Sequence, residues 1–297
     1  MNGAHPAHRL AAGPTDIALT PAQLIILDFD GTITDAEVEG APFRSGYLQD
    51  IATLVARPVE LVTSLAVEFE AQIAAEPDQH GWVFGGQIVA PACVDPYLRI
   101  MPVARMILDR YGRLQDATDR ERLLDGVLYP HNYRRTGTAF RPGALDVLSR
   151  LQDAGAVIVT NSATDAVQHK LRALGDTLEP LAQRVHGHAK KYLVDDAFGA
   201  VPASIDLPGL SRPVLLRRPR YHAVLDELRL AAGVDWSAVT VIGDIFELDL
   251  ALPLALGARA GLLASAFTPP YESRFIEGHE RGKLLQSLAD VLPFVNL

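Results

Sequence analysis

Two aspartates two positions apart, Asp28 and Asp30, open the string Asp28-Phe29-Asp30-Gly31-Thr32, directly after the apolar run Leu24-Ile25-Ile26-Leu27. On an extended chain residues i and i+2 share a face, so both carboxylates reach one ligand. Their repulsion is relieved when a divalent cation screens them or when one holds a proton, and both conditions serve catalysis. Two more aspartates, Asp244 and Asp249, follow the run Val239-Thr240-Val241-Ile242, in Gly243-Asp244-Ile245-Phe246-Glu247-Leu248-Asp249. Carboxylates with no His or Cys in register suit a hard, oxygen-preferring cation such as Mg²⁺ and make zinc a poor fit. A third run, Ala156-Val157-Ile158-Val159, ends in Thr160-Asn161-Ser162. Ser162 with Asp165 reads as a capping box. The helix start it implies offers free N–H groups to an anion, and the Thr160 hydroxyl is placed to donate to a phosphoryl oxygen.

Each of these groups ends a short, continuously apolar segment, the pattern of a buried strand. Helical spacing separates the segments. Residues 143–154 carry Leu145, Leu148 and Leu151 on one stripe before Gly155; residues 221–232 carry Val224, Leu225 and Leu228 before Gly233. Residues 261–265 read as another strand and 283–291 as a closing helix. The alternation predicts an α/β fold with a doubly wound parallel sheet, in which ligands gather at the carboxyl ends of the strands. About 105 residues separate the first strand from Phe140, far more than a strand-to-helix connection needs. A second domain is therefore expected at 36–139, with the core formed by 21–35 and 140–297 and a loosely ordered tail at 1–20. Apolar spacing in 48–55, Val59–Ala75 and 102–111 predicts a mainly helical cap, broken by the Gly-rich stretch 80–86.

Asp-x-Asp-Gly-Thr after one strand, a hydroxyl residue after a second and Gly-Asp-x-x-x-x-Asp after a third form an ordered set. In these motifs the sequence resembles the haloacid dehalogenase-like (HAD) superfamily, in the subgroup whose cap is inserted after the first motif. The resemblance covers about 24–39 and 140–265; the cap matches only in position and helical character. It implies that Asp28 is the nucleophile of an aspartyl-phosphate, and that Asp30 protonates the leaving oxygen and then activates water. It further implies that Thr160, with Asn161 beside it, holds the phosphoryl group. Asp28, the carbonyl of Asp30 and Asp244 would ligate Mg²⁺, with Asp249 orienting the basic group or the metal shell. The family usually places a Lys, often before Pro, at the start of the helix preceding the third strand. Here that place reads Arg217-Arg218-Pro219-Arg220, so Arg218 aligns best, and Lys191, in Lys190-Lys191, competes as the basic phosphate ligand. The implied activity is Mg²⁺-dependent hydrolysis of a small phosphorylated metabolite; a phosphomutase on the same core and a non-catalytic binding module are the alternatives. Dehalogenation is disfavoured, because members that cleave carbon–halogen bonds lack the second aspartate of the first motif.

Composition sets the bounds. The chain has 297 residues, 48% of them apolar and 21% charged, as an ordinary globular protein does. Its formal charge of -9 argues against nucleic acid and anionic membranes as partners, so a phosphate ligand needs a local positive site. A single cysteine, Cys93, and no apolar run near the ~20 residues of a membrane span point to a reducing, cytoplasmic setting. Cys93 is expected buried and inert, and Trp82 and Phe84 in the core or an interface. His186 and His188 are expected exposed, and Arg44, His131, Tyr133, Arg134 and Arg135 to be ordinary surface groups unless the cap turns one toward the substrate.

Overall fold

The computed structural model describes residues 23–297, so the tail expected at 1–20 lies outside it. Strand β1 (Leu24–Leu27) is buried along its whole length, which explains its lack of polar alternation. Helices α1 (Ala36–Val55) and α2 (Val59–Ala75) follow, then an antiparallel hairpin of β2 (Gly81–Phe84) and β3 (Gln87–Pro91), then α3 (Pro96–Arg110), α4 (Ala117–Leu123) and α5 (Tyr129–Tyr133). The chain next forms α6 (Ala144–Asp153), β4 (Val157–Val159), α7 (Thr164–Leu174), α8 (Glu179–Ala182) and β5 (Val185–His186). A small hairpin, β6 (Ser204–Ile205) with β7 (Val214–Leu215), precedes α9 (Pro219–Ala232) and β8 (Val239–Gly243). The described residues close with α10 (Ala251–Ala255), β9 (Arg259–Leu263), α11 (Pro270–Gly278), β10 (Gly282–Leu285) and α12 (Val291–Phe294).

The main sheet runs β10-β9-β8-β1-β4-β5, every neighbouring pair parallel. From β1 the chain winds outward to β4 and β5, then returns to lay β8, β9 and β10 on the other side. The reversal leaves a crevice at the carboxyl end of β1, between β4 and β8, where all three motifs emerge. Alternate residues feed two cores. Ile26, Val159 and Val241 pack with Tyr221 and Leu225 on one face; Ile25, Leu27, Ile158 and Ile242 pack with Leu148, Leu151 and Leu171 on the other. Each such fully buried aliphatic side chain contributes roughly 1.5–3 kcal/mol.

The insertion builds a third core from Phe43, Tyr47, Ile51, Val62, Ile100, Val103 and Ile107, and this core also takes in Ile245 and Leu248 from the loop after β8. The insertion and the loop after β8 are thus packed together. The two connections into the cap run side by side: Thr34 bridges Phe140, the Asp35 N–H donates to the Ala139 carbonyl at 2.9 Å, and the Arg141 N–H donates to the Ile33 carbonyl at 3.0 Å. Asp35 also caps α1 by accepting the Val38 N–H.

Several local expectations change. The Gly-rich stretch 80–86 is not a break but the hairpin of β2 and β3, turned by Gly85 and Gly86 at φ 58° and 81°. Residues 283–291 do not form a helix. Leu284 and Leu285 pair with Leu262 and Leu263, extending the sheet beyond β9, and only a short turn and α12 follow. Leu145 is 38% exposed; Val147, Leu148 and Leu151 carry the buried stripe of α6. His188 falls past β5 in a left-handed conformation, and both it and His186 are exposed. Cys93 is buried, and Trp82 packs on Tyr192 with ring centroids 4.5 Å apart. Among the described residues no helix is long and apolar enough to cross a membrane.

Candidate active site

Asp28 is the first residue beyond β1, and its N–H donates to the Ile242 carbonyl at 2.8 Å, which fixes it against β8. Its side chain is nearly buried, and Oδ1 accepts from Lys191 Nζ at 2.6 Å. The same ammonium donates to Asp249 Oδ1 at 2.8 Å, while Asp249 Oδ2 accepts the Ile245 N–H at 3.0 Å. Gly31 makes room for the next acid: its φ is 79°, and a Cβ there would fall 2.1 Å from Asp244 Oδ2. The Thr32 hydroxyl lies 3.1 Å from both Asp28 Oδ2 and Asp244 Oδ1, and its single proton satisfies only one of them. Carboxylate oxygens of Asp28, Asp244 and Asp249 lie within 4.8 Å of one another.

Electrostatics at this floor are strained in the sense a cation relieves. Burial pushes the Asp28 carboxyl up to about 7, although Lys191 pulls it down. Burial, with Asp249 and Asp28 as neighbours, holds Asp244 well above the ordinary carboxylate range. Burial opposes the Lys191 charge, yet Asp249 and Asp28 overcome it and raise its pKa above that of an ordinary lysine, so the ammonium persists. Hard oxygen donors, an unshared hydroxyl proton and no sulfur or imidazole fit Mg²⁺. Asp28 and Asp244 are the ligands this fit favours, since both Asp249 oxygens are already engaged. The Asp30 carboxylate stands outside the cluster of three.

Asp30 turns instead toward the carboxyl end of β4. Its Oδ2 accepts from Ser162 Oγ at 2.6 Å and from Thr160 Oγ1 at 3.2 Å, and Lys170 Nζ lies 3.8 Å from Oδ1. Ser162 is therefore not the cap of a capping box with Asp165: α7 has Ala163 at its N-cap and no side-chain cap bond, because the Ser162 hydroxyl is drawn to Asp30. The Thr160 hydroxyl accepts the Ser162 N–H at 3.1 Å.

Of the two candidate basic residues, Lys191 is the one beside Asp28, and Arg218 does not reach that carboxylate. Arg218 is fully buried and donates to the carbonyls of Leu215, Lys191 and Val89, tying three backbone segments together beneath the cavity. Its proximity in sequence to the helix start misleads because the loop after β5 reaches the floor first. Asn161 is likewise used structurally. Its Oδ1 accepts the Lys191 N–H at 2.8 Å and so seats the lysine, although Asn161 also lines the cavity.

Above this floor lies a cavity of about 200 Å³. Its cap side is walled by Trp82, Tyr97, Leu98, Tyr129, Tyr133 and Thr136. Of the cap residues considered from sequence, Tyr133 reaches the cavity and Arg44 pairs with Glu70 at 2.7 Å; His131, Arg134 and Arg135 are not among the lining residues. Sequence reasoning missed Lys170, Glu39, Asp95, Tyr97 and Tyr129. Lys170 lies eight residues beyond Ser162, about two turns along α7, a spacing that returns it to the same helix face and was the one available signal.

A family model for haloacid dehalogenase-like hydrolase matches residues 22–257. The chain belongs to the haloacid dehalogenase-like hydrolases. A search of curated proteins returns no match. Among solved structures, this hydrolase is similar to a predicted phosphoglycolate phosphatase from Haemophilus somnus, with TM-score 0.53, 14% identity, and 93% of this chain and 99% of that one covered. It is also similar to YfnB of Bacillus subtilis, described as a HAD-hydrolase and solved with magnesium, with TM-score 0.51, 14% identity and coverage of 94% and 100%. At that identity the likeness shows the shared fold.

Proposed function

We propose that this HAD-like hydrolase is a Mg²⁺-dependent phosphatase that removes phosphate from a small phosphorylated metabolite through an aspartyl-phosphate on Asp28. The observation that carries the reading is the linked set at the floor, in which Lys191 joins Asp28 at 2.6 Å to Asp249 at 2.8 Å. Lys191 aims the Asp28 carboxylate, opposes the effect of burial on its ionisation and offsets its repulsion of an incoming phosphate. An Asp28 oxygen attacks phosphorus as the bond from phosphorus to the ester oxygen breaks, and protonated Asp30 gives its proton to that departing oxygen. Asp30, now a base, takes a proton from water; the water oxygen attacks phosphorus, the bond to Asp28 breaks and phosphate leaves. Thr160 and Ser162 hold Asp30 in place for both roles. Asp28 and Asp244 would hold Mg²⁺, which would supply charge stabilisation in the transition state.

Asp30 also supports phosphoryl transfer over carbon–halogen cleavage, since a departing halide needs no proton. Phosphate release from small phosphomonoesters, measured with Mg²⁺ and with chelator beside Asp28→Asn, tests the reading. Release that depends on metal and falls at least about 10⁴-fold in the variant supports it. Release that persists in Asp28→Asn removes Asp28 as nucleophile, and an isomerised product without free phosphate replaces the phosphatase with a mutase.

A further inference from the structure

The cavity's charges are lopsided. Six carboxylates line it, those of Asp28, Asp30, Glu39, Asp95, Asp244 and Asp249, whereas among the described residues Lys170 is the one cationic side chain in its lining and Lys191 lies in its floor. Both ammonium groups are already engaged: Lys191 by Asp28 and Asp249, Lys170 by Glu39 at 3.0 Å. Even with a divalent cation at the floor, acid remains in excess. No arginine or lysine of the cap lines the cavity, so nothing there matches a second anionic group on the substrate.

Asp95 is the acid left over. One oxygen caps α3, accepting the N–H groups of Tyr97 at 2.7 Å and Leu98 at 3.3 Å, and among the described residues its carboxylate has no ion-pair partner. Beside it stands an aromatic wall: Tyr97 and Tyr133 have ring centroids 5.6 Å apart, and Tyr129 stacks on Tyr133 at 6.0 Å. Aromatic faces and an uncompensated carboxylate are the two features that recognise an alkylammonium ion. A cavity of about 200 Å³ is below the size of a drug-binding pocket and suits a phosphate joined to a short chain.

We propose that the phosphomonoester hydrolysed here carries a cationic nitrogen, held against the Tyr97 and Tyr133 rings with Asp95 as its counter-ion. The proposal rests on the phosphatase reading and names the substrate class within it. The alcohol released is then an amino or quaternary ammonium alcohol.

The test compares choline phosphate, its uncharged isostere 3,3-dimethylbutyl phosphate and phosphoglycolate, with p-nitrophenyl phosphate as reference, on the full chain with Mg²⁺. Choline phosphate is expected to exceed its isostere at least about 10-fold in kcat/KM, with phosphoglycolate lower still. Asp95→Asn keeps the helix cap, since Asn caps as well as Asp. It should bring the two isosteres within about twofold of each other through KM, read as the ratio of their kcat/KM values on one preparation. Binding of choline phosphate to Asp28→Asn, followed by tryptophan fluorescence and calorimetry, should exceed that of the isostere by a similar factor. If p-nitrophenyl phosphate is hydrolysed and the isosteres do not differ, or phosphoglycolate is preferred, the cation proposal falls while the phosphatase reading stands. If nothing is hydrolysed and neither isostere binds, both fall.

Discussion

The turn after β8 feeds two buried charge clusters. Asp244 and Asp249 point into the cavity beside Asp28 and Lys191, whereas Glu247, between them in sequence, is fully buried in a two-pronged pair with Arg212 at 2.8 and 2.7 Å. Arg212 continues to the Pro77 carbonyl, and Asp78 accepts the N–H groups of Ser211 and Arg212, so this second cluster fastens the cap to the core. Ingredients and burial are alike. What differs is leftover capacity: at the floor, carboxylate oxygens outnumber donors and face a cavity, so they can take up a cation and a substrate. At the clamp, the Arg212 fork meets the Glu247 carboxylate and neither residue lines the Asp28 cavity, so the cluster is structural.

Removing the cation from each cluster in turn sharpens the contrast. Lys191→Met should lower phosphate release by about 10³-fold or more and also reduce stability by about 3–5 kcal/mol, because Asp28 and Asp249 are left facing each other. Lys191→Arg keeps the charge but not its fit between two carboxylates, and should lose activity while unfolding in urea near the original midpoint. Activity loss in Arg218→Met without loss in Lys191→Met would move the basic role to Arg218 and break the comparison.

Arg212→Met should destabilise by a similar ~3–5 kcal/mol in urea, since Glu247 stays buried without its partner. Its folded fraction should keep kcat within about twofold. A large fall in kcat at full folding would show that the clamp serves chemistry.

The smallest effect belongs to Glu272, buried near Glu247 with neither carboxylate oxygen in a hydrogen bond of good geometry. Burial first, then Glu247, raise its carboxyl well above the ordinary 4.5, and the Phe246 N–H and Arg212 offset this only in part. The folded chain therefore keeps a proton that the unfolded chain releases once pH passes its ordinary value, and stability declines from there upward. Glu272→Gln should flatten that decline by about 1 kcal/mol or more between pH 5 and 8 in urea unfolding. An unchanged slope would mean the proton is not held.

Much of the site was legible because it is local. Asp28 and Asp30 are two apart after an apolar run, and Thr160 and Asp244 each follow another, so each motif announced its own strand end. Lys191 was legible only as one of two competitors, because its loop leaves the sheet irregularly: Lys190 sits at φ 49°, and Asn161, 30 residues back in sequence, seats Lys191. Arg218 satisfied the expected spacing and failed on geometry, since backbone carbonyls absorb its donors. The Ser162 capping box failed for the same kind of reason, a distant carboxylate outcompeting a local N–H.

By itself the sequence determined the alternation of strands and helices, the insertion after the first strand and the acids at three strand ends, because periodicity and turn chemistry act over a few residues. Tertiary structure alone decided which cation reaches Asp28, which of the acids in 244–249 faces the cavity, and which cap residues wall it. Those choices depend on side chains from separate elements competing for the same few ångströms, and no spacing along the chain encodes that competition.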